Sequence, residues 1–342
     1  KPDGEYIMNC EQMLAAPHAK SLLIIGGGAR GAEFAAVYSN MGTTKVTLLE
    51  RDQRILPRTD DDIYKHVKHL FQKKSVRIVE NYELQKLVVK DEMVHFAAKS
   101  RTTGKMFEDT VERALICLGR TPNYEQLGLS SLDKTVVQNG KVQFDKFGRC
   151  IPYRHIYVCG DAAGGRYVSA AETQGRSVVE HMFSFRPLSG RRFIDRYETQ
   201  IMFLDQEFAS IGWSETKCQA NSVSYRVASY SFEYVSRALA MNNTKGFVKI
   251  IVTNDRQQKV LGVSAIGAQA SSIVEIASGA VNQQRQVHEL DALFVAYPAI
   301  SQAFQECARC LRGQSTIKPG APGVTMRSWS PDSPRGRAFR GD

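Results

Sequence analysis

SLLIIGGGARGAEFAAVYSNMGTTKVTLLE, residues 21–50, reads as a strand, a glycine-rich turn, a helix and a second strand that ends on an acidic residue. The apolar run 22–25 lacks alternation, which suits a parallel strand covered on both faces. Gly26, Gly28 and Gly31 take the three glycine places of G-x-G-x-x-G, with Gly27, Ala29 and Arg30 completing the same turn. The first glycine makes a tight bend, the second lets a pyrophosphate approach the backbone, and the third lets helix and strand pack closely. A diphosphate there meets the N–H groups and the positive dipole end of the helix. Glu50 lies about 20 residues on, placed to accept both ribose hydroxyls of NAD and to repel the 2′-phosphate of NADP. Arg51 and Arg54 follow closely and could in principle hold such a phosphate, but the carboxylate sets the preference for NAD. The alternative is a glycine-rich βαβ unit whose ligand site is vestigial.

The chain has 342 residues, 43% hydrophobic and 23% charged, enough for two or three domains of a soluble globular protein. No apolar run reaches the ~18 residues that mark a membrane span. The sequence opens at Lys1 with nothing resembling a signal or transit peptide, and the expectation is that an upstream portion has been removed. Seven cysteines at scattered spacings form no secreted disulfide framework and point to a reducing compartment. The net charge of +10 comes from basic residues that are mostly spread out, so no nucleic-acid partner is expected. Residues 313–342 are rich in Pro, Gly, Ser and Arg and lack periodicity. They are expected to be a disordered basic tail, either solvated or, through Trp329 and Phe339, docking on a larger protein assembly.

Along the chain, residues 1–18 read as a lead-in and 19–125 as the nucleotide domain. Ile63, Val67, Leu70 and Phe71 have helical spacing behind a cap at Thr59 or Asp60. His66 and His69 belong to a solvated basic face of that helix with Lys65 and Lys68. Alternating runs near 87–89 and 93–96 suggest an inserted β-meander, and 114–118 is a buried strand leading into Gly119. IYVCGDAAGG, residues 156–165, reads as a buried strand running into Asp161, which either holds cofactor hydroxyls or caps a helix. From about residue 187 strands are followed by helices, as in a separate α+β domain to 312. Cys307 and Cys310 form a C-x-x-C pair late in a helix, without the context of a redox or zinc site.

Four motifs in order resemble those of the pyridine nucleotide-disulfide oxidoreductases, most closely dihydrolipoamide dehydrogenase. They are LLIIGGGARGAEFA (22–35), LICLGRTPN (115–123), IYVCGDAAGG and the C-terminal set SIGWSE, GFVKIIV and LGVSAIGAQAS. The fold implied is α/β: a Rossmann-like NAD-binding domain with an inserted β-meander, a remnant of the FAD domain at 126–186, and an α+β dimerisation domain at 187–312. The resemblance places Glu33 near the nicotinamide and Cys117, Leu118, Gly119 and Arg120 along the cofactor. It gives Asp161 the ribityl chain of FAD, with the backbone at Ser169 near the flavin, so FAD has at most a half-site here. It implies a homodimer or a related partner chain through the C-terminal domain, and residence in a mitochondrion or plastid.

Departures from the family pattern bear on activity. Its N-terminal FAD domain, with the C-x4-C redox pair, is absent from these residues. Tyr297 stands where the family has its proton-exchanging histidine, and Gln302 where it has the glutamate that holds that histidine. A phenol with a reference pKa of ~10 is about one part in a thousand ionised at pH 7, whereas imidazole titrates near 6.5. The acid–base half of dithiol chemistry is therefore expected to be lost. Arg30 replaces an apolar residue, and Ser272 sits where many relatives carry Glu. The expectation is a degenerate relative that binds NAD(H) and serves as an accessory or structural subunit. The alternative is an NADH-dependent flavin oxidoreductase whose FAD half lies on a removed segment or another chain.

Overall fold

The structure, a computed structural model, describes every residue except 125–126, 133–135, 139–140, 152, 166, 184–196, 198, 294 and 339–342. Phe339 and the expected domain boundaries at 125/126 and 186/187 lie outside the described residues. Residues Lys1–Leu118 and Ile201–Asp342 form one compact unit, and Gly119–Gln200 forms a second.

The first unit opens with β1 (Ile7–Met8), α1 (Cys10–Ala15), β2 (Ser21–Ile25), α2 (Ala29–Asn40), β3 (Lys45–Glu50), α3 (Asp61–Lys73) and β4 (Arg77–Glu80). The meander β5 (Tyr82–Lys90), β6 (Met93–Ser100) and β7 (Met106–Val111) follows, then β8 (Arg113–Ile116). Five strands pair in parallel in the order β1-β8-β2-β3-β4. Each face of this sheet is covered, which is why β2 is apolar without alternation. Leu22, Ile24 and Leu48 pack with Ala32, Ala35, Ile63, Val67 and Phe71 of α2 and α3. Leu23, Ile25 and Leu49 pack with Val94, Phe96 and Ala98 of the meander. The lead-in is part of this sheet, a correction to the sequence reading: Ile7 and Met8 pair with Ala114 and Leu115.

The second unit holds β9 (Val137–Gln138), β10 (Lys141–Val142) and α4 (Val168–Phe183) around a small core of Val136, Val142 and Cys150. The buried strand expected before Gly160 does not form. Tyr157 makes only an isolated bridge to Arg149, and Gly160–Ala163 is a 3-10 turn.

The first unit resumes with β11 (Gln200–Met202), β12 (Phe208–Gly212), α5 (Glu215–Ala220), β13 (Tyr225–Ser231), α6 (Ser236–Ala240), β14 (Phe247–Thr253) and β15 (Val260–Ile266). The helices α7 (Ala270–Asn282), α8 (Val287–Asp291) and α9 (Gln302–Leu311) come next, then β16 (Thr325–Ser330) and β17 (Ser333–Ala338). Seven strands run in the order β11-β12-β15-β14-β13-β16-β17. The expected disordered tail is thus a hairpin that extends the sheet. Tyr225 to Ser229 pair antiparallel with Trp329 to Thr325, and the Trp329 ring stacks on Tyr225 at 5.8 Å. A free edge of β13 offers unpaired backbone groups, and the tail satisfies them. Among the described residues no helix is long and apolar enough to cross a membrane.

Two further readings change. His66 is half-buried rather than solvated: its ring meets Phe247 edge-on and its Nε2 lies 2.5 Å from Gln206 Oε1. Burial holds its pKa below the usual histidine value. Asp60 occupies the N-cap position of α3 but makes no side-chain cap bond. Its carboxylate goes instead to Lys249, a wholly buried ammonium in β14. Lys249 Nζ donates to Asp60 Oδ2 at 2.6 Å, Asp62 Oδ1 at 2.7 Å and Glu215 Oε1 at 3.2 Å. Arg327 of β16 binds Glu215 and reaches Asp62 at 3.4 Å. The three carboxylates converge as metal ligands do, and the ammonium fills the place between them.

Burial alone would lower the pKa of Lys249, but the three carboxylates outweigh it and raise it. Burial likewise would raise the pKa of Asp62, and Lys249 turns the shift downward. The contribution of Asp62 is therefore complete above about pH 4 and is lost as pH falls through its depressed folded value. That of Lys249 is complete below about pH 10 and is lost as pH rises through its elevated folded value. Lys249→Met is expected to cost about 3–5 kcal/mol of unfolding free energy at neutral pH, because it leaves buried carboxylates uncompensated. In denaturant melts the gap to wild type should narrow below about pH 4, where those carboxylates protonate. A gap under about 1 kcal/mol, or one indifferent to pH, would show that the cluster does not stabilise the fold.

Candidate functional site

The glycine turn lies between the end of β2 and the start of α2, and backbone geometry accounts for most of its residues. Gly26 has φ +105°, and a Cβ there would stand 2.9 Å from the carbonyl oxygen of Cys117. Its N–H donates to Leu49 O at 2.8 Å, tying the turn to β3. A Cβ on Gly31 would stand 1.9 Å from Gly26 O, so only glycine lets helix and turn close together. A Cβ on Gly27 would strike Ile55 at 2.7 Å. Gly28 differs: it caps α2 in extended conformation, and a Cβ there meets nothing within 4 Å. No side chain caps this helix. An open approach to an uncapped twelve-residue helix is the cradle that a diphosphate needs, so these residues fit a dinucleotide. Ala29 is exposed beside it.

Glu50 is buried at the end of β3, 8% exposed. Its Oε2 accepts the Gly27 N–H at 2.6 Å and its Oε1 accepts the Asp52 N–H at 2.7 Å. The carboxylate therefore both shapes the turn and keeps the remaining lone pairs for a ribose. Arg54 is turned away, donating to Thr59 O at 2.6 Å and pairing with Asp61 at 3.3 Å. Glu33 on α2 accepts the Phe203 N–H at 3.0 Å, so it also anchors the segment after β11. Leu118 is exposed near Gly26, and Cys117 is half-buried with its N–H on Ile25 O at 2.8 Å. Burial and the neighbouring Cys10 push the Cys117 thiol well above the usual range. Arg30 is half-buried, its Nη1 4.0 Å from Cys10 Sγ. Cys10 and Ile55 were not foreseen in the sequence, because a thiol in a lead-in and an isoleucine in a loop carry no motif.

In the second unit, Arg120 Nη1 pairs with Asp161 Oδ2 at 2.9 Å, bringing two expected cofactor residues together. The Asp161 turn is tied to α4 through Gly160 N–H to Gln174 Oε1 at 2.7 Å. An exposed carboxylate already neutralised by a guanidinium is a weaker acceptor for a flavin hydroxyl than a free one. Gly119 has φ +139°, a backbone that side chains rarely adopt. Ser169 is exposed on the first turn of α4, and its carbonyl accepts from Thr173 Oγ1 at 2.8 Å.

Tyr297 is exposed, with its hydroxyl 3.2 Å from Ser236 Oγ. Gln302 Oε1 accepts the Ala299 N–H at 3.3 Å, so its side chain caps the local turn and holds no ring. Neither contact supplies a group that exchanges a proton near neutral pH. Cys307 and Cys310 are both buried, their thiols set against the carbonyls of Ala228 and Ile317. Burial raises both thiols above the usual range, which makes them core residues rather than a redox pair.

Geometry and sequence place the chain in the pyridine nucleotide-disulphide oxidoreductase family: that family matches residues 2–175, and its dimerisation domain matches residues 199–308. Dihydrolipoyl dehydrogenase of Bacillus subtilis is 26% identical over 315 residues, covering 92% of this chain and 65% of its own length. A soluble pyridine nucleotide transhydrogenase of Marinobacter nauticus is 28% identical over 90% of this chain and 66% of its own. Among solved structures, LpdA from Mycobacterium tuberculosis superposes with a TM-score of 0.80 at 26% identity, covering 91% of this chain and 66% of that one. The flavoprotein disulfide reductase RclA from Escherichia coli shares the fold, with a TM-score of 0.78 at 22% identity over 90% of this chain and 68% of that one. The chain thus spans about 65% of the length of the dihydrolipoyl dehydrogenase it matches.

Because the fold makes no steric demand at Gly28, Gly28→Val isolates the ligand contact. It is expected to cost the fold about 1 kcal/mol or less while weakening NADH binding about tenfold or more, read by thermal melting and by NADH fluorescence titration. Unchanged affinity would remove the diphosphate from this cradle.

Proposed function

We propose that this chain is an NAD(H)-binding member of the family that does not turn over a dithiol. The observation that carries the proposal is the pairing of a complete dinucleotide turn, closed by Glu50 on Gly27, with a phenol at Tyr297 where an imidazole is needed. In this reading Gly26–Gly31 take the diphosphate and Glu50 takes the adenosine ribose. Cys117 and Leu118 line the approach to the nicotinamide. Bound NADH would supply hydride-donating chemistry, while these residues orient it and exclude the 2′-phosphate of NADPH. A second copy or a related chain would pair through the matched dimerisation domain, and the role that suits lost dithiol chemistry is that of an accessory subunit. The exposed Phe203 and Tyr297 side chains in that region are in keeping with a covered face.

The test is direct. The purified protein should bind NADH with fluorescence enhancement and bind NADPH about tenfold more weakly. It should also fail to reduce NAD with dihydrolipoamide when FAD is supplied. Steady NAD reduction by dihydrolipoamide, or no NADH binding at millimolar concentration, would overturn the proposal.

A further inference from the structure

Cys10 and Cys117 sit with their sulfurs 3.6 Å apart, both half-buried, beside the glycine turn. Their juxtaposition follows from topology. β1 and β8 pair in parallel with Ile7 opposite Ala114 and Met8 opposite Leu115, and continuing that register two residues brings Cys10 opposite Cys117. Asn9 between them is still extended, so the register is not yet broken by α1. Neighbouring strands lie about 4.8 Å apart, inside the Cα separation of roughly 4.4–6.8 Å that a disulfide spans. Only a small approach of the two sulfurs is needed.

We propose that Cys10 and Cys117 are a thiol modification site that closes to a disulfide by exchange with small-molecule disulfides, and that closure weakens dinucleotide binding. The second half rests on the NAD(H) reading given above. Cys10 attacks first: Arg30 Nη1 lies 4.0 Å from its sulfur, a cation beside the atom that carries negative charge during attack. The Cys10 sulfur bonds to one sulfur of the small disulfide, whose S–S bond breaks and whose other half leaves as a thiol, taking the Cys10 proton. Cys117 Sγ then bonds to the Cys10 sulfur, the mixed disulfide breaks, and a second small thiol leaves with the Cys117 proton. The two protein thiols are oxidised and one small disulfide is reduced. Burial and Cys10 hold the Cys117 thiol protonated, which makes it the poorer first attacker and leaves that step to Cys10.

The link to the nucleotide is structural. The Cys117 carbonyl is the atom packed against Gly26, and the Cys117 N–H holds the end of β2. A covalent tie from Cys117 to α1 draws on the backbone that sets the position of the turn, and it takes Cys10 away from Arg30. The other described cysteines offer no competing pair beside the turn: Cys150, Cys218, Cys307 and Cys310 are buried, and Cys159 is exposed in the second unit.

The full chain, first reduced, is incubated with oxidised glutathione, digested without reductant and mapped by mass spectrometry, with NADH affinity titrated before and after. The expected result is a cross-linked peptide pair containing Cys10 and Cys117, lighter than the reduced pair by two hydrogens. With it comes a loss of about fivefold or more in NADH affinity, reversed by dithiothreitol. Cys10→Ser should bind NADH as the reduced wild type does and ignore oxidised glutathione. No such cross-link, or glutathione left on Cys10 as a stable adduct, overturns the pair. A cross-link with unchanged NADH affinity overturns the coupling. Failure of the reduced protein to bind NADH would sink the dinucleotide reading instead, and the cross-linked peptide would still decide the pair.

Discussion

A lysine ammonium with no access to water is among the more costly groups a chain can bury, and Lys249 is acceptable only because three carboxylates reach it from the starts of two helices. Asp60 and Asp62 come from the start of α3, beside the dinucleotide sheet. Glu215 comes from the start of α5, and Arg327 adds a second cation from β16. The cluster joins the five-stranded sheet to the seven-stranded one inside a single compact unit. Around it the apolar core is continuous, with Phe208 and Ile266 packed in the same cluster as Leu22 and Leu48. Once this is in place, the Glu33 bond to Phe203 and the His66 bond to Gln206 follow as further ties across the same boundary. The acidic start of α3 is thereby committed to holding the two sheets together.

What sequence alone revealed divides by range. The strand, turn and helix at residues 21–40 are legible because each residue's role is local: apolar run, glycine bend, helix spacing. Glu50 is legible through a spacing rule, although the two hydrogen bonds it accepts from the Gly27 and Asp52 amides are not, since both amides are anonymous in sequence. Lys249 carries no signal that the sequence analysis used, and its partners lie 189, 187 and 34 residues away. The hairpin at 325–338 was misread for the same reason. Its composition looks like a solvated tail, and only the distant edge of β13, the ring of Tyr225 and the carboxylate of Glu215 make it a strand. The lead-in strand β1 is two residues long, below any periodicity that a sequence can display.

The chemistry of the site also separates by what each group is asked to do. Binding a dinucleotide requires backbone shape and one carboxylate acceptor, and both are present around Gly28 and Glu50. Turning over a dithiol requires a ring that gains and loses a proton near neutrality and a partner that holds it. Tyr297 bonds a serine hydroxyl, and Gln302 bonds its own turn. Asp161, the acidic group of the second unit, is in an ion pair with Arg120. The contacts around Gly28 and Glu50 are those a dinucleotide would use, while the Tyr297 hydroxyl lies on Ser236 and the Gln302 side chain holds its own turn.

The four glycines of the turn are held by different constraints. At Gly26 the positive φ and the Cys117 carbonyl exclude any side chain, at Gly31 the Gly26 carbonyl does so, and at Gly27 Ile55 does so. Each of these glycines is explained by packing alone and would be needed in a vestigial βαβ unit as much as in a working one. Gly28 is different, because its backbone is extended, its surroundings are open and it caps a helix that a serine or asparagine would cap with a hydrogen bond. The fold gains nothing from glycine there and forgoes a cap bond of about 1 kcal/mol. A group arriving from outside, close to the backbone and bearing its own hydrogen-bond acceptors, would meet the uncapped N–H groups in place of that side chain. Gly28 is therefore the residue of the turn that a ligand explains and packing does not.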